Sequence, residues 1–147
     1  MDLKKFNSLI DLFFSQSEKQ KPTNIFLEWL NPKNKKKFTW SETSLNIYKL
    51  AKILKENING GDRCLLVSEN RPEWLIADIA IMLAGGITVP AYTTYTESDY
   101  KYLIEDCQPS IIVVSNEEIH KKLANIIKEK IFIKKINKIN KKIDLIK

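Results

Sequence analysis

Apolar residues at Leu3, Phe6, Leu9, Ile10, Phe13 and Phe14 recur every three or four positions, the spacing that gathers side chains on one face of a helix. Asp2 stands where a side-chain oxygen can satisfy the first free N–H groups of that helix. Asn24 to Leu30 then reads as a strand, the polar run NPKNKK as a turn, and Lys37 to Trp40 as the second strand of a hairpin. Thr39 and Glu42 have capping-box spacing, which predicts a helix starting there with Ile47, Leu50, Ala51, Leu54 and Ile58 along its buried stripe. Gly60 and Gly61 are expected to end it in left-handed backbone.

From Arg63 the pattern changes. RCLLVS, Arg63 to Ser68, is a short continuous apolar run without alternation, which suits a strand covered on both faces as in a parallel sheet. Pro72 falls where a first helical turn tolerates its missing N–H; Trp74, Leu75, Ile79 and Leu83 follow, and Gly85 and Gly86 close that helix. Ile87 to Ala91 is the next strand, and Pro90, which cannot donate to a ladder, is expected at its end or where the neighbouring strand has finished. Thr96 caps a helix carrying Tyr100, Leu103, Ile104 and Cys107, with Pro109 beyond its end, and IIVVS, Ile111 to Ser115, repeats the buried-strand signature. Asn116 caps a further helix with Ile119, Leu123, Ile126 and Ile127 inward and its lysines outward. Beyond Lys130 the chain turns into Ile/Lys/Asn low complexity, with short strands expected at Ile131 to Ile133 and near Ile143 to Ile146.

Strand and helix alternating from Arg63 imply right-handed crossovers and a parallel three-layer α/β sheet, preceded by a helix and a β-hairpin. Three segments are expected: helix, hairpin and helix over 1–60, a βαβα parallel-sheet subdomain over 61–130, and the Ile/Lys/Asn-rich tail over 131–147.

Composition narrows the function classes. A chain of 147 residues with 44% hydrophobic content can bury one core. Two cysteines, Cys64 in a strand-like run and Cys107 on an apolar helix face, build neither a disulfide framework nor a metal-ligand spacing. The net charge of +6 is concentrated: His120 to Lys147 holds ten lysines against Glu129 and Asp144, a local +8 that leaves −2 for the rest. That tail has a single aromatic, Phe132, too few for base stacking, so nucleic acid is not expected as a partner, and weak contact with an anionic membrane surface is the most it offers. The longest apolar run, around Leu75 to Leu83, is broken by Asp78 and is too short to span a bilayer, and no leader pattern is present, so a soluble cytoplasmic protein is expected.

In an open α/β sheet ligands bind beyond the carboxyl ends of the strands, where SENRPEW, AYTTYTE and SNEE fall. All four glycines sit in the pairs Gly60-Gly61 and Gly85-Gly86, both assigned to helix-to-strand turns at the opposite edge, and neither G-x-G-x-x-G nor G-x-x-x-x-G-K-[ST] can be written. His120, the only histidine, lies among lysines at the start of an amphipathic helix, which suits a solvated or partly packed side chain better than a catalytic base. Glu69, Glu73, Asp78, Glu97, Asp99, Glu105 and Asp106 could pair as carboxylates, but for Glu73, Glu97 and Asp99 a place in a first helical turn is explanation enough. The loop Ala91 to Thr96 is the one irregular stretch rich in aromatic and hydroxyl side chains suited to lining a pocket, although a plain crossover loop is the simpler reading. No catalytic, cofactor-binding or metal-binding residue is assigned.

GDRCLLVSENRPEWLIADIAIMLAGGITVPAY, Gly61 to Tyr92, resembles the amino-terminal signature of the AMP-binding acyl-CoA synthetases of the adenylate-forming superfamily. FTWSE, Phe38 to Glu42, and YLIEDCQPSIIVVSN, Tyr102 to Asn116, are similar to the flanking elements of that signature. ENRPEW and VPAYTTYT are most similar to the long-chain fatty acid–CoA ligase branch. The resemblance implies an amino-terminal part of an acid–thiol ligase. The full family uses ATP and Mg²⁺ to convert a carboxylate to an acyl-adenylate, then passes the acyl group to coenzyme A. The family's phosphate loop, of the TSGTTG-x-PKG kind, and its adenylation lysine have no counterpart here, so none of their roles transfers to a position in this chain. A truncated or split synthetase, inactive alone and partnered by the remainder of the enzyme, is the expectation. The alternative is a non-catalytic interaction module on the same scaffold.

Overall fold

The computed structural model describes residues 6–31, 35–127 and, as backbone, 132–135. Helix α1 spans Leu9–Ser17, the hairpin is β1 (Ile25–Trp29) with β2 (Lys36–Thr39), and helix α2 spans Trp40–Lys55. Then β3 (Arg63–Val67), α3 (Pro72–Leu83), β4 (Ile87–Ala91), α4 (Glu97–Cys107), β5 (Ile111–Val114), α5 (Glu117–Ile126) and β6 (Phe132–Lys135) alternate.

The first helix starts later than its apolar spacing predicts. Phe6 is not helical, and Ser8 caps α1 by accepting from the Asp11 N–H, while Asp2 and Leu3 lie outside the described residues. Thr39 and Glu42 make the expected box, with the Thr39 hydroxyl on the Glu42 N–H at 3.1 Å and the Glu42 carboxylate on the Thr39 N–H at 2.8 Å. Thr96 and Asp99 repeat it at α4. A cap of this kind stabilises a helix by about 1 kcal/mol, enough to fix its first residue. Helix α2 ends at Lys55 with Glu56 still right-handed, so the glycine pair does not end it; only Gly61 of that pair has positive φ, in the turn before β3. Gly85 does fill the expected role, since its φ of +93° lets Gly85 N–H reach Met82 O and Gly86 N–H reach Ile81 O behind α3.

Strands β4, β3, β5 and β6 form one parallel sheet in that order, and β1 pairs with β2 in a separate antiparallel ribbon. Alternate side chains of the central strands go to opposite faces. Cys64, Leu66, Ile111 and Val113 join α1, α2 and α3, whereas Leu65, Val67, Ile112 and Val114 join α4 and α5. The result is the predicted three-layer α/β arrangement, and both faces of β3 and β5 are dry, which is why their sequences show no alternation. Helix α3 buries Ile76, Ala77, Ala80 and Ile81 completely, while Trp74, Leu75 and Leu83 are only half-buried.

Pro90 is paired in register with Leu66, so its neighbour has not finished. It is tolerated because β4 is the outer strand: Ile87 N–H points to Asp62 O at 2.8 Å, and the alternation of the backbone turns position 90 away from β3. Of the expected tail strand Ile131 to Ile133, Phe132 and Ile133 fall in β6, while Ile131 and the stretch near Ile143 to Ile146 lie outside the described residues.

Candidate functional site

The sheet order places a switch point between β3 and β5. From β3 the chain leaves through α3 to β4 on one side, and from β5 it leaves through α5 toward β6 on the other, with α3 and α5 on opposite faces. In open α/β sheets the crevice beyond such a pair of strand ends is the usual ligand position. Here it is bordered by Ser68 and Glu69 after β3 and by Ser115 and Asn116 after β5.

The structure closes this crevice with its own side chains. Ser115 N–H donates to Val67 O at 3.1 Å, extending the β3–β5 pairing by one rung. Asn116 Nδ2 donates to Glu69 Oε1 at 3.0 Å and to Ser115 Oγ at 3.3 Å, while its Oδ1 caps α5 through the Ile119 N–H at 2.9 Å. Asn116 therefore does the predicted capping and also ties the two strand ends together.

Beside the crevice lies an ionic cluster that local spacing did not reveal. Glu73, assigned from sequence to a helix-dipole role, is buried and takes both oxygens' worth of donors: Arg71 Nε on Oε2 and Arg71 Nη2 on Oε1, each at 2.9 Å, and Lys36 Nζ on Oε1 at 2.8 Å. The Trp29 ring lies against both cations, 5.1 Å from Arg71 Cζ and 5.7 Å from Lys36 Nζ. Burial pushes the Glu73 carboxyl upward, but the hydrogen bonds from Arg71, Lys36 and its own backbone, with the Arg71 charge, outweigh it and bring the pKa to about 2. The signal was present in NRPEW, where Arg71 and Glu73 flank Pro72. The partner Lys36 comes from 37 residues away.

The Ala91 to Thr96 loop is tied to α4 and α5 by side chains. Tyr100 OH donates to Tyr92 O at 2.7 Å, and Lys122, predicted to point outward, turns in to donate to Tyr95 O and lies 5.1 Å from the Tyr100 ring. Tyr95 stands edge-on between Tyr92 and Tyr100, at 5.5 and 5.8 Å. Burial, then the neighbouring Tyr95, push the Tyr100 phenol up to about 12, so it stays a neutral donor. Tyr92 itself is exposed.

The remaining candidates are scattered. Glu97 and Asp99 start α4, Glu105 and Asp106 lie exposed at its far end, and Asp78 is midway along α3. His120 is half-buried with Nδ1 3.7 Å from Glu117 Oε1, too far for a hydrogen bond. Cys64 and Cys107 are buried free thiols. Among the described residues no three of His, Cys, Asp or Glu are placed to hold a metal ion, and no helix is long and apolar enough to cross a membrane.

All four glycines stand at the edge away from the crevice, where Gly61 N–H donates to Gly85 O at 2.8 Å and joins the turn before β3 to the turn before β4. Residues 14–144 match the family of AMP-binding enzymes. The chain belongs to that family. Among its relatives, the human mitochondrial acyl-coenzyme A synthetase ACSM3 is 29% identical over 119 residues, 76% of this chain and 20% of that protein. The chicken (Gallus gallus) long-chain-fatty-acid–CoA ligase ACSBG2 is 42% identical over 65 residues, 44% of this chain and 8% of that protein. Among solved structures, ATP-bound MatB from Rhodopseudomonas palustris superposes with a TM-score of 0.65 at 25% identity, covering 78% of this chain and 22% of that one. The chain thus spans about a fifth of the length of ACSM3 and of MatB. Over that part of their length it has the mixed α/β scaffold of the adenylate-forming enzymes.

Proposed function

We propose that this chain supplies the scaffold of a long-chain fatty acid–CoA ligase and has no adenylation activity by itself. Adenylation of a fatty acid with release of pyrophosphate, and transfer of the acyl group to coenzyme A, would belong to the whole synthetase, of which the remainder is the natural partner of this segment. The long-chain assignment is supported by the identity of 42% with the chicken ligase over 65 residues.

The observation that carries the reading is where polar groups and glycines stand. A triphosphate needs converging backbone N–H groups with close approach, or free cations. At the β3–β5 crevice the Glu69 carboxylate is already held across the gap by Asn116, and the guanidinium of Arg71 is already matched by Glu73. Glu117 and Glu118 add negative charge at the start of α5, and no glycine lies on this edge. The residues present do not fit ATP.

Fatty-acid-dependent pyrophosphate release by the purified chain tests the proposal. With palmitate, ATP and Mg²⁺ the chain is expected to give the no-enzyme rate, and release proportional to chain concentration refutes it. In a complete synthetase containing this segment, palmitate is expected to support faster release than butyrate, and the reverse order would remove the long-chain assignment.

A further inference from the structure

We infer that the β1–β2 hairpin sets the conformation of the loop at the β3–β5 crevice, with Trp29 and Lys36 as positioning residues that act through Glu73 and Arg71. The inference holds whether or not the crevice serves a synthetase, because it rests on contacts alone.

The contacts form an unbroken path. Lys36, on the first residue of β2, reaches Glu73 Oε1 at 2.8 Å. Glu73 holds Arg71 by two parallel bonds, a planar fork that fixes the orientation of both groups. Arg71 is the residue before α3, its O accepts the Trp74 N–H at 2.9 Å, and it ends the segment Glu69 to Arg71 that leaves β3. Glu69 at the other end of that segment is bonded to Asn116, which caps α5. A hairpin of the first forty residues is thereby linked to the far side of the crevice.

Solvent access differs along the path. The Arg71 and Glu73 side chains are 9% and 8% exposed, whereas that of Lys36 is 44% exposed. The hub is inside and the handle is outside. Trp29 closes the hub from the hairpin side, lying against both cations, so removing either Trp29 or Lys36 loosens the group that orients Arg71 without cutting into the hydrophobic core. Arg71, the N-cap residue of α3, makes no side-chain capping hydrogen bond, so its guanidinium is given over to Glu73.

Coupling along such a path has to be shown by a response at its far end. The full chain, ¹⁵N-labelled, is compared with Lys36→Met, Trp29→Leu and Lys36→Arg, following the Arg71 Nε–H, the side-chain amides of Asn70 and Asn116, and exchange of the Trp74 backbone amide. Lys36→Met is expected to move the Asn70 and Asn116 side-chain signals and to speed Trp74 exchange about tenfold, as befits one weakened charged hydrogen bond. Lys36→Arg is expected to restore both. Unchanged signals for Ile112 and Val113 establish that the sheet is intact, and if Trp29→Leu fails to fold, Lys36→Met decides alone. The inference is overturned if Lys36→Met disturbs only the hairpin and Glu73 while Asn116 stays in place and Trp74 exchange remains within about twofold of wild type.

Discussion

Replacing Glu73 by Gln keeps the length and shape of the side chain but removes the charge that two cations share. A carboxyl that ordinarily titrates at 4.5 and titrates at about 2 in the fold contributes roughly 3 kcal/mol to stability at neutral pH. Breaking a buried ion pair from one side costs about 3–5 kcal/mol in general. The lower end applies here, because Lys36 can swing into water and only Arg71 is left uncompensated. Urea unfolding of wild type and Glu73→Gln at a series of pH values measures the difference. The folded carboxyl has the lower pKa, so its contribution is complete above about pH 4.5 and fades as the pH falls toward 2. The variant is therefore expected to be about 3 kcal/mol less stable at pH 7 and to approach the wild type in acid. A difference below about 1 kcal/mol at pH 7, or one that does not shrink in acid, would refute the assignment of Glu73 as a buried anion between two cations.

Two further predictions concern the opposite edge and the core. A Cβ on Gly86 would stand 2.9 Å from Ile58 Cδ1, 3.0 Å from Cys64 Sγ and 3.1 Å from Ile81 Cγ2, so Gly86→Ala is expected to lose about 1–3 kcal/mol in urea unfolding, and no loss would mean the turn is loosely packed. Cys64 is fully buried, and burial together with the Asp62 carboxylate pushes its thiol up to about 12. It should react with a disulfide reagent such as DTNB only after denaturation, and rapid reaction of Cys64 in the native chain would contradict its place in the sheet.

Much of this fold is written locally. The buried runs RCLLV and IIVV became β3 and β5 within a residue of their predicted ends, because strands covered on both faces must be apolar throughout. Thr39 and Asn116 cap the helices they were expected to cap, since a side chain reaching its own third neighbour is a sequence-local event. The spacing predicts too early a start for α1 because Leu3 and Phe6 extend the apolar pattern past the true cap, although Ser8 and Asp11 have cap spacing of their own. Helix α3 is apolar nearly all round, so periodicity could not choose its buried side, and packing against α2 and the sheet selected Ile76, Ala80 and Ile81. At the crevice, the tie from Glu69 to Asn116 and the bridge from Lys36 to Glu73 join residues 47 and 37 positions apart. No short-range pattern encodes such contacts. The helical pattern turns Lys122 outward for the same reason, its partner Tyr95 being 27 positions away.

Titration of the ¹⁵N-labelled chain with Mg²⁺·ATP tests most directly whether the scaffold is present without its means of holding nucleotide. The amide signals of Ser68 to Arg71 and Ser115 to Glu118 are expected to show no saturable movement up to millimolar nucleotide. Saturable shifts at those positions, lost when Asn116 is replaced by Ala, would show that the closed crevice opens to hold a triphosphate and would contradict the account.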